Sequence, residues 1–365
     1  MSFIDRYAAA TWTPPFPQPL PSDATAYSQC VPIWKMAQRR ARRELNLWLQ
    51  GQSGLRRERI EPARRLLWIY KGMPQVGDSL MDLAARVLLI GRVDSVDLLI
   101  DAHLVPLYAA DQVFDRVSHD PAQLAPAESY DLVLLHSASS HSLQDKLHSF
   151  RHQPFVHMHG IYTGPEFNRT LFGFYRLAQL LGIKPGTDEL AHRTRPVMWS
   201  SAVDIAAIDA LGLPSDSVAM SVGGVHDWRT YTRWDDVLTL LRAAGWQRPI
   251  LLIGANNGAA LRDRLMVSHG FDDQVIDCVG RHTLGQTHAL LQRCRLALCA
   301  DGGLLHLAHA ADVPAVGLFA GIINPAFRLT TANRTRALYG AQRVDDIAPQ
   351  DVAAAVLEQD QLVSA

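Results

Sequence analysis

From Arg65 onward, short apolar runs alternate with stretches of helical period, and few folds are open to a chain written that way. RLLWIY (Arg65 to Tyr70), VDLLIDA, YDLVLLHS (Tyr130 to Ser137) and PFVHMHGI (Pro154 to Ile161) read as strands. SLMDLAARVLLIG and FNRTLFGFYRLAQLLGI read as helices. Beyond the proline-rich, polar stretch KPGTDELAHRTRPVMWSSA a second series begins. Its strands are SVAMSVGG (Ser217 to Gly224), PILLIG (Pro249 to Gly254), DQVIDCVG, RLALCA and, last, PAVGLFAG; its helices are RWDDVLTLLRAAG, LGQTHALLQRC and the one after Asp301. Strands that are apolar on both faces must be covered on both faces, so the expected class is α/β. The expectation is two Rossmann-like doubly wound domains facing a central cleft. The boundaries expected are an N-terminal extension over 1–60, a first domain over 61–195, a second over 196–345 and a C-terminal helix over 346–365. Within the extension, residues 1 to about 30, rich in proline and small polar residues (TWTPPFPQPLPSDAT), are expected as an extended arm, and Pro32 to Gln50 as an amphipathic helix.

Composition narrows the partners. Lys and Arg number 35 against 36 Asp and Glu, so the protein as a whole offers nucleic acid no attraction, and an anionic ligand must be met locally. The run Arg39, Arg40, Arg42, Arg43 would suit an acidic partner or membrane phosphates, and equally a solvated helix face. Four cysteines without a CxxC pair predict reduced thiols and no metal site. No basic segment leads into a long apolar run, and none of the chain is apolar for about 18 residues, so a cytoplasmic protein is expected. Its contact with a membrane would then be peripheral.

The chemistry concentrates in ADGGLLHLAHAADVPAVGLF (Ala300 to Phe319), where a strand runs into a helix through Asp301, Gly302 and Gly303, with Leu304, Leu305 and His306 in the first turn. Glycines at a helix entrance let a ligand approach the main chain, and the first-turn N–H groups with the helix dipole favour an anion. The same residues would also serve as a buried junction, with Asp301 as cap and His306 as a core imidazole. Gly77 and Asp78 follow the first strand; Asp78 is either a general base aimed at a ligand or a helix cap. Arg229 and Arg233 in HDWRTYTRWDD could each hold two phosphate oxygens or pair with Asp235 or Asp236. Ser221 ends a strand. Gly254, Asn256 and Asn257 form either a nucleoside pocket or a polar turn. His157 and His159 alternate on a strand without acidic or cysteine partners at matching spacing, and read as core or cleft-lining residues rather than metal ligands.

Taken together these segments resemble the family 9 glycosyltransferases, the heptosyltransferases of lipopolysaccharide core assembly. DGGLLHLAHAADVPAVGLF is similar to that family's Asp, Ser or Thr, Gly, two residues, His pattern with its helix, Val-Pro and strand. RLLWIYKGMPQVGDSLMDLAARVLL looks like its opening strand, Gly-Asp loop and helix, and TRWDDVLTLLRAAGWQRPILLIG like its basic-Trp helix and strand. The likeness spans roughly residues 65 to 350. Gly302 replaces the usual hydroxyl residue, AGIINP replaces Gly-Pro-Thr-x-Pro, and GANNGAA lacks an acidic residue that some members carry.

The resemblance implies a GT-B architecture, with 61–195 binding the acceptor and 196–345 a nucleotide-diphosphate sugar, ADP-heptose in the characterised branch. It implies inversion at the anomeric carbon without a metal or other cofactor. Carried over by position, Asp78 is the catalytic carboxylate, Arg233 the basic residue at the phosphates, and Asp301, Gly302, Gly303, Leu304, Leu305 and His306 the donor motif, with Ser221 and Gly254 beside them. The acceptor expected is a glycan, a glycolipid or a protein, and self-association is compatible with the extension. Two other readings stand beside this one: a non-catalytic sugar-nucleotide-binding member of a complex, and a sugar-nucleotide epimerase of the same shape.

Overall fold

A computed structural model describes residues 2–16, 30–73, 75–136, 140–162, 164–184, 193–270 and 274–364. Most of the proline-rich stretch and much of the expected linker, 17–29 and 185–192, lie outside the described residues. The chain forms two compact units, Met1–Pro74 with Asp82–Thr194, and Gln75–Met81 with Arg195–Ala365. The short segment Gln75–Met81 therefore belongs with the C-terminal residues although it follows the first strand of the N-terminal sheet.

In the first unit, β1 (Arg65–Tyr70), β2 (Ser95–Ile100), β3 (Arg116–Ser118), β4 (Leu132–Leu135) and β5 (Phe155–His157) form a parallel sheet in the order β3-β2-β1-β4-β5. β1 is central, pairing Arg65 with Ser95 on one side and Leu66 with Leu132 on the other, and all of it beyond Arg65 is buried. That burial explains its unbroken apolar run. Leu67, Ile69, Leu99, Val133, Leu135 and Phe155 pack together on one face. β3, three residues with polar ends, is an edge strand absent from the sequence-based expectation. The stretch expected as one helix, SLMDLAARVLLIG, is two pieces: a helix Val76–Asp82 and a 3-10 turn Ala84–Leu89. The helix Arg169–Leu180, capped by the Asn168 side chain on the Leu171 N–H, packs on that turn.

The second unit holds β6 (Val218–Ser221), β7 (Ile250–Ile253), β8 (Val275–Asp277), β9 (Leu296–Ala300), β10 (Ala315–Phe319) and β11 (Thr335–Tyr339), all parallel, in the order β11-β10-β9-β6-β7-β8. The chain walks outward from β6 to β8, then returns to lay β9 against the other side of β6. Strand order thus reverses between β6 and β9, and open α/β sheets bind ligands beyond the carboxyl ends at such a point. PAVGLFAG is not the last strand: β11, half-buried or exposed at every position, pairs outside it. The helices Trp234–Ala243 and Pro349–Ser364 pack on each other, with Trp234, Leu238, Val352 and Val356 in one core cluster.

The N-terminus differs from the expected arm. Phe3–Ala9 is a helix with a capping box, the Ser2 hydroxyl accepting from the Asp5 N–H and the Asp5 carboxylate from the Ser2 N–H. It packs on the helix Ile33–Leu49, where the Tyr7 hydroxyl donates to Glu44 at 2.7 Å and Arg40 to the Tyr7 carbonyl at 2.7 Å. Phe16 then anchors the chain edge-on against Phe172 at 5.1 Å.

Both units bury neutral imidazoles. Burial, assisted by nearby arginines at His157 and His309 and by His136 at His159, lowers all three from the ordinary 6.5 to about 3. An unfolded chain takes up protons at these positions below pH 6.5 while the folded chain does not, so stability should fall as pH drops from 6.5 toward about 3. Calorimetric melting across that window should show the decline beginning above the carboxylate range. His309→Gln should flatten its slope, and a melting temperature indifferent to pH there would contradict the assignment.

Candidate functional site

At the carboxyl end of β9 the chain leaves the sheet through Asp301 and enters the helix Gly303–Ala310, with Gly302 as N-cap. The Asp301 N–H bonds to the Leu318 carbonyl at 2.9 Å, fixing this turn beside β10. Its carboxylate is only 2% exposed. A charge so buried costs several kcal/mol unless opposite charges meet it. Two segments supply them, Arg229 Nη2 at 3.6 Å and Arg328 Nε at 3.8 Å, and His306 Nε2 lies 3.9 Å away. Arg229 closes the 3-10 turn Asp227–Arg229 in the connection that follows β6, its guanidinium stacked on Trp228 at 4.4 Å. Arg328 follows the turn Pro325–Phe327 beyond β10. Two guanidinium groups beside a helix entrance are the kind of donors that suit an anion.

The remaining expected residues divide by what they touch. His306 is buried, its ring 5.7 Å from that of His309, whose Nε2 lies 2.9 Å from the Thr335 hydroxyl. Leu305 is core and Leu304 half-buried. Ser221 sits half-buried at the end of β6, on the strand-order reversal. Gly254, at φ 154, has a structural reason to be glycine: a Cβ there would lie 2.3 Å from the Val222 carbonyl oxygen. Asn257 donates to the Gly224 carbonyl at 2.8 Å, so the loops after β6 and β7 are tied to each other. Arg233 does not join Asp301; it caps the helix Trp234–Ala243 and pairs with Asp236 at 3.7 Å, with 43% of its side chain exposed. Sequence reasoning singled out Arg229 without choosing it, and missed Arg328, which lies 27 residues beyond Asp301 in no recognisable pattern.

Gly77 lies against the same helix entrance. A Cβ on Gly77 would fall 2.8 Å from His306 Cδ2 and 3.4 Å from the Gly303 Cα, a closeness only glycine allows. Asp78, the next residue, is half-buried in the first turn of the helix Val76–Asp82. The Asp301 carboxylate, two arginines, a histidine and a helix entrance are thus gathered with the Asp78 turn, on the segments Gln75–Met81, 229, 301–306 and 328 of one compact unit.

The comparable place in the first unit, beyond β1 and β4, is occupied differently. There Asp82 Oδ2 accepts from the Tyr70 hydroxyl at 3.0 Å and Arg169 at 2.8 Å, with His136 Nε2 at 3.3 Å. Burial pushes this carboxyl up, but Arg169 and His136 outweigh it and hold the group below the ordinary range. Among the described residues, no three His, Cys, Asp or Glu side chains come together as a metal-binding group.

Residues 225–345, which contain Arg229, Asp301, His306 and Arg328, match the model of glycosyltransferase family 9 (heptosyltransferase). Over those residues the chain is similar to that family. Solved structures extend the likeness of fold beyond them. E. coli ADP-heptose lps heptosyltransferase II is 18% identical, with a TM-score of 0.63 over 82% of this chain and 100% of that one. A family 9 glycosyl transferase from Veillonella parvula is 15% identical (TM-score 0.64, 82% and 98% covered), and E. coli heptosyltransferase WaaC with ADP is 15% identical (TM-score 0.60, 82% and 99% covered). No curated protein matches the chain. Two parallel-sheet α/β units are the fold these GT-B heptosyltransferases share with it.

Because a Cβ on Gly77 would meet His306 and Gly303, Gly77→Ala should force His306 aside. We expect a loss of about 1–3 kcal/mol of stability, read by thermal melting. An unchanged melting temperature would contradict the close approach.

Proposed function

We propose that the protein is an inverting glycosyltransferase that moves heptose from ADP-heptose to an acceptor hydroxyl in a single displacement. The similarity to family 9 supports the reaction class. ADP-heptose is the donor named for one matched E. coli enzyme, and ADP is bound in another. The observation that carries the mechanism is the approach of Gly77 to Gly303 and His306, which brings the Asp78 turn to the anion-attracting end of β9.

In this reading the Asp78 carboxylate accepts the proton of the acceptor hydroxyl as its oxygen attacks the anomeric carbon. The bond from that carbon to the diphosphate oxygen breaks with inversion, and ADP leaves with the electron pair. Charge builds on the departing diphosphate. Arg229 and Arg328 meet it with the first-turn amides after Gly302, and no metal ion is required. Arg233, paired with Asp236 at the surface, takes a lesser part. Asp301 holds the two arginines together rather than touching the reacting atoms. The acceptor is a lipopolysaccharide core sugar, another glycan or a protein. We assign the reaction to the cytoplasm, in keeping with four free cysteines, three of them buried. Burial raises those three thiols, Cys278 to about 11 and Cys294 and Cys299 to about 12, and keeps them protonated and inert.

Asp78→Asn should lower turnover by about two to four orders of magnitude while titration calorimetry shows ADP-heptose binding nearly intact. Unimpaired transfer by that variant would remove Asp78 from its role. The arginines separate in the same assays. Arg229→Ala should cost about 10²- to 10³-fold in turnover, and Arg233→Ala less than about tenfold. The reverse order would return the diphosphate to Arg233.

A further inference from the structure

The helix Ile33–Leu49 presents an apolar stripe to solvent. At 100° per residue, Trp34, Ala41, Leu45 and Trp48 fall within about 60° of one another and run for about 21 Å along the axis. Trp34 is 59% exposed and Trp48 66%, and Leu49, Phe3 and Ile4 nearby are also exposed. The opposite side is accounted for. Met36 is buried there, and the Phe3–Ala9 helix is held by Arg40 and Glu44. Along one edge of the stripe Lys35, Arg39 and Arg42 are all exposed. The helix carries five cations against one carboxylate, Glu44, which is itself bonded to Arg40 and Tyr7. No helix among the described residues is long and apolar enough to cross a membrane.

We propose that this face is a docking surface for an anionic phospholipid membrane, with the helix lying in the interface. Tryptophans at both ends of an apolar stripe suit the headgroup boundary, where one edge of the ring is apolar and the other wet. A flanking row of Lys and Arg adds attraction to acidic headgroups. Charge decides against a second copy of this chain as occupant. Two such faces would bring like-charged rows together, whereas an acidic lipid surface complements them. The surface is independent of the transfer site, since its residues lie outside both 225–345 and the Asp78 turn.

The test is sedimentation of the full chain with vesicles of phosphatidylethanolamine and phosphatidylglycerol, against vesicles of phosphatidylcholine alone. The protein should sediment with the anionic vesicles, with a blue shift of tryptophan emission, and be released at raised ionic strength. Trp34→Ala with Trp48→Ala, and Lys35→Glu with Arg39→Glu and Arg42→Glu, should each lower the partition by about tenfold or more with circular dichroism and ADP-heptose affinity unchanged. Failure of the wild-type protein to sediment with phosphatidylglycerol vesicles overturns the proposal, as does sedimentation that neither set of substitutions weakens. A dimer by light scattering that the paired tryptophan substitutions convert to monomer, without vesicle binding, gives the face to a second copy instead.

Discussion

Burying the Asp301 carboxylate at the point where strand order reverses is what organises the second unit. An ionised group with 2% exposure needs countercharges, and the fold brings Arg229 and Arg328 from separate connections, with His306 beside them. Each lies 3.6 to 3.9 Å away, longer than a tight ion pair. The result is a group of charges held in fixed positions at the end of β9. Protein dipoles and charges set in place beforehand need little reorganisation when charge develops on a leaving group.

The two units show the same topological position put to different ends. In the first, the carboxylate of Asp82 takes direct hydrogen bonds from Tyr70 and Arg169, at 3.0 and 2.8 Å, and lies 3.3 Å from His136. That cluster knits the end of β1 to the helix Arg169–Leu180 and to the turn at Leu83. It also accounts for the broken helix. Asp82 is the last helical residue, tied back to Tyr70, and the backbone continues as a 3-10 turn whose Arg86 is paired with Asp111 at 2.6 Å inside the unit.

Central strands were legible because a parallel strand covered on both faces has no alternation to confuse it, and RLLWIY is β1 to the residue. β3 and β11 were not, since edge strands with polar or half-exposed positions carry a weaker apolar signal. The Phe3–Ala9 helix was written in Ser2 and Asp5, three residues apart as a capping box requires, but the prolines that follow outweighed it. Asp301, Gly302, Gly303 and His306 could be found because they are consecutive or one turn apart. Arg328 could not: a connection between sheet and surface has no period, so its meeting with Asp301 is a fact of three dimensions. Arg229 and Arg233 are four residues apart, the first ending a 3-10 turn and the second preceding a helix, and spacing alone does not say which faces inward.

Gly302 gains a physical meaning from this geometry. A serine or threonine at a helix N-cap turns its oxygen onto the N–H of the second or third helical residue, satisfying donors that would otherwise face outward. Gly302 has no such oxygen, and the helix Gly303–Ala310 has no side-chain cap. Its backbone is extended there, at φ 170, so glycine is not demanded by strain. The family's hydroxyl would contribute one bond to a ligand or one to the helix itself; with glycine, the first-turn N–H groups are left to the anion. The adjoining Gly303 is exposed and 3.7 Å from Val76 by its hypothetical Cβ, which keeps the main chain bare between the Asp78 turn and the arginines. Backbone N–H groups thus stand at this helix entrance where the resembling sequences offer a side chain.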